Sequence, residues 1–319
     1  MSCILRPMRW DLHGVVIDGE SDTAEVTAAW ARSFASRPLV SAEPDLRCRL
    51  DVVADVPSPP PGTPHFSQGD LLHYYVAGAG VIAHFPRFGQ LYLDLAQGTT
   101  SGRITTAALT TYGVLEDLIA ISLSPHLRRR GYFLIHAFAA AWQGRAVLLV
   151  GGIGAGKTTT GMALLDAGWR LLSNDSPILS AGGAVLSYPG LLAAYPETWA
   201  RFDVTRALAA VEPELARRKK VMVSAESLWP GVWLDRAPLA AILFPHIEPR
   251  PDHALEPLTQ PDALRRLLPH AVEQWDRPLI APHLALLRRL VESAPAYRLR
   301  LAPDVHTLPA RLAGILQDL

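Results

Sequence analysis

The sequence is poor in lysine and cysteine and carries no net charge. Only 3 of its 319 residues are lysine, against 27 arginines, and only two, Cys3 and Cys48, are cysteine. Two cysteines provide neither a disulfide framework nor a metal-ligand spacing, which excludes a disulfide-rich secreted domain and a zinc module. The formal net charge of +0 provides no overall field that would draw the protein to nucleic acid or to a membrane surface.

Long apolar runs are also missing. The N-terminus lacks the basic-then-apolar pattern of a secretion signal, and every apolar run is too short to form a transmembrane helix. With so few cysteines, these absences lead us to expect a cytoplasmic protein. The 49% hydrophobic content of 319 residues is enough for two domains or for one large one.

We expect residues 1–125 to form a smaller, β-rich N-terminal domain with a role in substrate recognition. Trp10–Asp18 reads as one strand, and the apolar spacing of Thr23–Ala35 predicts a helix. A β-meander is predicted next, because glycine and proline separate four strand-like runs: Leu72–Ala77, Gly80–Phe85, Gln90–Ala96 and Gly102–Thr106. Thr111–Leu127 is expected to be a helix.

Residues 126–319 alternate between strand and helix patterns, which predicts an α/β fold with a mixed sheet. Tyr132–Trp142 reads as one strand that turns at Gln143-Gly144 into the strand Arg145–Val150. Further predictions are helices at Lys157–Ala167 and Pro196–Val211, and strands at Trp169–Ser173 and Leu239–Phe244. The C-terminal part is expected to form helices near Pro261–Leu268 and Ile280–Glu292, a strand at Tyr297–Leu301 and a last helix from Val305.

The most informative stretch is VLLVGGIGAGKTTT at residues 147–160, which contains the phosphate-binding pattern G-x-x-x-x-G-K-[ST]. Glycines let the backbone approach a polyphosphate closely, and the N–H groups of the loop and the following helix point at the anion. Lys157 would bind the β- and γ-phosphate oxygens, and the Thr158 hydroxyl would ligate Mg²⁺. The predicted nucleotide-binding residues are Gly151, Gly152, Ile153, Gly154, Ala155, Gly156, Lys157, Thr158 and Thr159.

Two further residues are candidates for the chemistry. Asp175 follows Lys157 by 18 residues, after one helix and one returning strand, so we expect it at the carboxyl edge of a strand beside the loop. There it would ligate the metal with Thr158 or accept a proton; a turn-capping role with Ser176-Pro177 is the alternative. His136 lies in an apolar strand, where a lone histidine is more often a packing residue.

The run LIHAFAAAWQGRAVLLVGGIGAGKTTTGMALLDAGWRLLSNDSPIL resembles the core of the HPr kinase/phosphorylase family and its kinase relatives, over about residues 132–190. The shared features are the histidine before the loop, the Gln-Gly hairpin, the phosphate loop, the following strand and Pro189-Gly190. The resemblance implies a kinase core related to phosphoenolpyruvate carboxykinase, ATP and Mg²⁺ as cofactors, and catalytic roles for Asp175, His136 and Lys157.

The chain departs from that family where an acidic pair is expected, because Asn174-Asp175 has only one acid. Either Asp175 is the base while Thr158 holds the metal, or Asp175 holds the metal and His136 assists with the proton. No segment matches the glycine-rich signature that serves phosphorolysis in true HPr kinases. We therefore expect an acceptor other than HPr.

The chain's remaining lysines, Lys219 and Lys220, follow Arg217-Arg218 and form a basic cluster. It is either a solvated helix end or a group that contacts the phosphates or an anionic acceptor. The histidines at 246, 253, 270 and 283 lack metal-ligand spacing and are expected to be structural.

The sequence thus predicts a kinase that phosphorylates a hydroxyl, either a serine of a peptide or protein or a small hydroxylated metabolite. The alternatives are a weak or inactive nucleotide-binding module that recognises a peptide, and a nucleotide hydrolase. No nucleic acid or membrane partner is expected. Relatives in the resembled family often assemble, which leaves a homo-oligomer open.

Overall fold

The computed structural model describes residues 8–78, 80–210, 219–249 and 251–318. Cys3, Val211 and the arginines at 217 and 218 lie outside the described residues. The chain divides into two compact units, residues 8–130 with 273–277, and residues 131–272 with 278–318. The division follows the helix Val114–Arg129, whereas the domain boundary expected after residue 125 would fall inside it.

In the described part of the first unit, eight strands form one sheet in the order β1-β2-β3-β8-β7-β6-β5-β4. The strands are β1 (Met8–Leu12), β2 (Val15–Glu20), β3 (Leu46–Val53), β4 (Phe66–Gln68), β5 (Leu72–Ala77), β6 (Gly80–Phe85), β7 (Gly89–Asp94) and β8 (Thr99–Thr105). The helices are α1 (Ala24–Ser33), α2 (Thr106–Thr110) and α3 (Val114–Arg129). The predicted β-meander and both predicted helices are confirmed.

The prediction of one strand over Trp10–Asp18 is wrong. His13 and Gly14 have φ angles of 57° and 86°, which reverse the chain between β1 and β2. Positive φ at two successive residues is the geometry of a tight hairpin turn, which glycine favours. The continuous apolar pattern persists because Trp10 pairs with Ile17 across the hairpin.

The strands of the second unit are β9 (Tyr132–Leu134), β10 (Ala137–Trp142), β11 (Arg145–Val150), β12 (Arg170–Ser173), β13 (Ile178–Ser180), β14 (Ala184–Leu186), β15 (Leu192–Ala194), β16 (Val221–Val223), β17 (Arg236–Ile247), β18 (Ala254–Pro257) and β19 (Ala296–Leu301). Its helices are α4 (Lys157–Asp166), α5 (Pro196–Trp199), α6 (Ala225–Leu228), α7 (Gln260–Ala271), α8 (from Arg277 to Ser293) and α9 (Leu308–Asp318). Two 3₁₀ segments, Asp203–Ala210 and Val305–Thr307, complete it.

The main sheet of this unit is mixed, which confirms the predicted α/β class. Strand β11 runs parallel to β17, which runs parallel to β19, whereas β10 is antiparallel to both β11 and β12. Strands β15 and β16 form a separate two-stranded ribbon.

Alternate residues of β10 and β11 pack into two hydrophobic cores. Phe138 and Val147 belong to the core shared with α4 and α9, and Ala139 and Leu148 to the core shared with α7 and α8. Helices therefore cover both faces of the sheet, and β11 is a central strand that ends at the phosphate-loop sequence. No helix among the described residues is long and apolar enough to cross a membrane.

The prediction that His136 lies within one strand, Tyr132–Trp142, is also wrong, because that strand is broken at Ile135-His136. The N–H groups of residues 135 and 137 donate to the carbonyls of Pro177 and Asp175, in the segment after β12, whereas that of residue 136 donates to the His270 carbonyl in α7. Strand β9 then pairs with β13, and β10 with β11 and β12. The break frees the His136 side chain from a regular strand position.

Candidate functional site

The loop between β11 and α4 depends on glycine at two positions. Gly154 and Gly156 have φ angles of 80° and 95°, which other residues rarely adopt. A Cβ at Gly156 would lie 2.6 Å from Leu301 Cδ1, so a side chain at this position would also require the Leu301 side chain to move. Helix α4 begins at Lys157 without a side-chain cap, which leaves the N–H groups of its first turn for an anion.

The other predicted loop residues differ in exposure. Ile153 is 95% exposed at the tip, and Gly152 is exposed beside it. Ala155, Thr158 and Thr159 are half-buried at the start of α4. The Thr158 hydroxyl thus lies in the first turn of the helix, where a metal bound to phosphate oxygens would be ligated.

Lys157 is buried and uses its ammonium group within the site. Its Nζ donates to the carbonyls of Gly151 and Gly152, at 2.5 and 3.2 Å, and lies 3.1 Å from His136 Nε2. An ammonium group has three protons and these are three acceptors, so Nε2 of His136 accepts from Lys157.

The second ring nitrogen of His136 faces a carboxylate. Nδ1 lies 3.1 Å from Asp175 Oδ1, and with Nε2 accepting, the Nδ1–H donates to that oxygen. The side chains of His136 and Asp175 remain 41% and 58% exposed. The structure therefore joins Lys157, His136 and Asp175 in one hydrogen-bonded chain that is open to solvent at its carboxylate end.

These residues meet because of strand direction. Since β10 is antiparallel to both β11 and β12, the start of β10 lies at the same sheet edge as the ends of β11 and β12. His136 precedes β10, the loop follows β11, and Asp175 follows β12 with its carbonyl accepting from Ala137 N at 2.9 Å. Ligands of α/β folds bind at such an edge.

Burial is the main influence on the pKa of Lys157. It lowers the pKa of the ammonium group; the Asp175 carboxylate opposes this shift, and the positive charge of Lys220 adds to it. The site therefore contains a cation that its surroundings make costly, which is the expected environment for a group that binds an anion.

One residue of the site was missed from the sequence. The carbonyl of His270, in the last turn of α7, accepts from His136 N at 2.7 Å, and the two rings are 6.1 Å apart. Burial lowers the pKa of His270, and the electrostatic interactions with His136 and Lys157 lower it further. No motif or spacing signals His270, because helix packing alone brings it to this edge.

The two residues before Asp175, Ser173 and Asn174, stabilise the turn at Asp175 by hydrogen bonds. Ser173 Oγ accepts from the N–H groups of Asp175 and Ser176, at 3.5 and 3.1 Å. Asn174 Nδ2 donates to the Leu191 carbonyl at 2.8 Å. The turn is therefore closed by the Ser173 hydroxyl, and the Asp175 carboxylate is directed to His136.

The two C-terminal lysines have different surroundings. Lys220 Nζ lies 5.6 Å from the centre of the Tyr195 ring, and its positive charge contributes to the lowered pKa of Lys157. Lys219 is exposed. Within the described ranges, no three His, Cys, Asp or Glu side chains are grouped so that they could hold a metal. Thr158 and Asp175 could thus ligate a cation only together with oxygens from a bound phosphate or water.

Comparisons with known proteins add little to this geometry. No family model and no curated protein match the chain. Among solved structures, the chain is similar to the Hpr(Ser) kinase/phosphatase from Coxiella burnetii, with 12% identity and a TM-score of 0.29. The match covers 58% of this chain and 88% of the other. A likeness at that score carries no weight for the fold or the function.

Proposed function

We propose that the protein is an ATP-dependent, Mg²⁺-requiring kinase that transfers the γ-phosphate to a hydroxyl. The acceptor is a serine of a peptide or protein, or a small hydroxylated metabolite. The observation that carries this proposal is the chain Lys157–His136–Asp175, which connects a phosphate-loop lysine to an exposed carboxylate through one imidazole.

The loop residues fit a polyphosphate. Positive-φ glycines, the uncapped start of α4 and a buried ammonium group all belong to the loop and the first turn of the helix, which is the arrangement that binds phosphate groups. The Thr158 hydroxyl would hold Mg²⁺ together with phosphate oxygens, and the ion would neutralise charge on those oxygens. Lys157 would exchange one or more of its carbonyl contacts for those oxygens.

The hydrogen bonds favour Asp175 over His136 as the base. Both ring nitrogens of His136 have partners, so the imidazole has no free position for a proton from the acceptor. In the transfer, the acceptor O–H bond breaks and its proton passes to Asp175. The acceptor oxygen bonds to the γ-phosphorus, whose bond to the β-phosphate oxygen breaks, and ADP leaves. His136 acts as a positioning residue that orients the carboxylate.

The test is incubation with γ-labelled ATP, Mg²⁺ and a panel of serine peptides and hydroxylated metabolites. We expect the parent chain to label an acceptor and Lys157→Ala to label none. Lys219→Ala, which removes an exposed lysine, is the matched control and should retain transfer. If Lys157→Ala retained full transfer, the assigned phosphate site would be wrong.

The role of Asn174 favours one second candidate, a nucleotide-binding module without transfer. Asn174 stands where an acid would serve catalysis, and its amide is bound to the Leu191 carbonyl. The same experiment decides between the two functions. Tight ATP binding with no label on any acceptor, and no acceptor-independent phosphate release, would support the module.

A further inference from the structure

We propose that Lys220 is a second phosphate-binding cation of this site and contacts the γ-phosphoryl group of the bound nucleotide. The inference rests on the proposed function only in taking a nucleoside triphosphate as the ligand. It does not require that the phosphoryl group be transferred.

The ribbon β15–β16 fixes the position of Lys220. Ala194 of β15 pairs with Val221 of β16, so Tyr195 and Lys220 extend from the same end of the ribbon. There the ammonium group lies 5.6 Å from the centre of the Tyr195 ring. The negative face of an aromatic ring attracts a cation held over it.

The ribbon is attached to the phosphate-loop edge in two ways. Leu192 and Ala194 are buried in the same core as Leu164 of α4. The Leu191 carbonyl, one residue before β15, accepts the hydrogen bond from Asn174, which is the neighbour of Asp175. The ribbon that carries Lys220 is therefore packed in one core with α4 and joined to the residue before Asp175, and Lys220 extends from the end of the ribbon opposite to that joint.

The charges indicate an anionic ligand at this position. Two of the chain's three lysines, Lys157 and Lys220, act on each other electrostatically. Like charges held together in a partly buried site are costly, and a polyphosphate placed between them reverses the cost.

The experiment compares dissociation constants for Mg²⁺-ATP and Mg²⁺-ADP by isothermal titration calorimetry. We expect Lys220→Ala to weaken ATP binding about tenfold or more, because a charge-assisted contact to the third phosphate is lost. ADP binding should change by less than about threefold, since ADP lacks that phosphate. Lys219→Ala is the matched control and should bind both nucleotides like the parent chain, and Lys220→Arg should restore part of the preference for ATP.

Equal weakening of ATP and ADP, or no change in either, would overturn the inference, as would a parent chain that binds neither nucleotide. Thermal unfolding of each variant checks the fold, and Lys220→Gln, which keeps the side-chain stem, replaces the alanine variant if that variant is destabilised. Selective loss of ATP binding in a chain that transfers no label would uphold the inference while the kinase proposal fails. Label transfer in a chain whose Lys220→Ala variant shows no selective loss of ATP binding would support the kinase proposal and overturn the inference about Lys220.

Discussion

Two carboxylates, one in each unit, differ in their exposure and in the number of their hydrogen-bond partners. Asp276 has a side chain only 2% exposed, and Arg128 and Arg129 donate four hydrogen bonds to its two oxygens, at 2.9–3.2 Å. Asp175 has a side chain 58% exposed, with His136 at 3.1 Å from one oxygen. The first carboxylate is saturated by its partners, and the second keeps room for a substrate or a metal.

Two histidines make the same contrast. His126 is fully buried in α3, and its Nε2 bonds to Thr100 Oγ1 at 3.0 Å, while Nδ1 has no partner in the described structure. His136 is 41% exposed and has a polar partner on each nitrogen. The Asp276 and His126 side chains of the first unit are thus shielded from solvent, whereas the Asp175 and His136 side chains of the candidate site are exposed to it. The predictions below test this difference.

The largest effect is expected from Asp276→Asn. The substitution leaves Arg128 and Arg129 without their counter-charge, and Arg128 is only 3% exposed. Removing one partner of a buried ion pair costs about 3–5 kcal/mol. We expect a loss of that size in the free energy of unfolding, measured by urea denaturation. Asp175→Asn is the matched control and should change it by less than about 0.5 kcal/mol; equal losses in both variants would remove the contrast.

The second effect is a loss of stability in acid caused by His126. Burial lowers the pKa of its imidazole from 6.5 to about 4, and the charges of Arg130 and Arg129 contribute, against the opposing carboxylate of Asp94. Thr100 Oγ1 donates to the Ser122 carbonyl and so accepts from Nε2, which means that a second proton must enter at the buried Nδ1.

The unfolded chain binds this proton at a higher pH than the folded chain does. The free energy of unfolding therefore has its full value above pH 6.5 and falls as the pH drops towards 4. The loss levels off near 3 kcal/mol, about 1.4 kcal/mol for each pKa unit. Denaturation at a series of pH values should show it, and His126→Gln, whose amide can still donate to Thr100, should flatten the profile between pH 6.5 and 4. An unchanged slope in that variant would contradict the assignment.

The third effect concerns transfer. Asp175→Asn keeps the size of the side chain but removes its ability to take the proton, and we expect acceptor labelling to fall at least about a hundredfold. ATP binding, measured in parallel, should change much less. Full turnover in this variant would exclude Asp175 as the base and would return the choice to His136.

The parts of this site that are local in sequence could be predicted from it. The loop 151–158 and Asp175 follow from a motif and from one helix-and-strand spacing. The position of His136 at the edge of the site could not be predicted from the sequence. The break in its strand depends on the carbonyls of Pro177, His270 and Asp175, all more than 30 residues away.

The same limit applies elsewhere in the chain. The hairpin at His13-Gly14 was missed because a two-residue turn leaves the apolar pattern on both sides intact. The roles of Lys220 and His270 depend on how the β15–β16 ribbon and α7 pack, which no local pattern encodes. Helices with clear apolar spacing, such as α1 and α8, were found because their pattern is set within one element.

The smallest effect is expected from substitutions of Asn174, for which the structure and the family resemblance predict opposite outcomes. Resemblance to the HPr kinase family suggests that Asn174→Asp restores a missing acid and raises transfer. The structure suggests the opposite, because only the amide can donate to the Leu191 carbonyl at 2.8 Å and so anchor the ribbon that carries Lys220.

A carboxylate at this position would face that carbonyl with like partial charge, and losing the hydrogen bond costs about 1–2 kcal/mol. We therefore expect transfer and ATP affinity to fall about tenfold, as equilibrium binding and labelling would show. Asn174→Ala, which removes the donor without adding charge, should give a loss of similar size. A gain of transfer in Asn174→Asp alone would mean that the acidic pair, and not the anchored ribbon, governs this edge of the site.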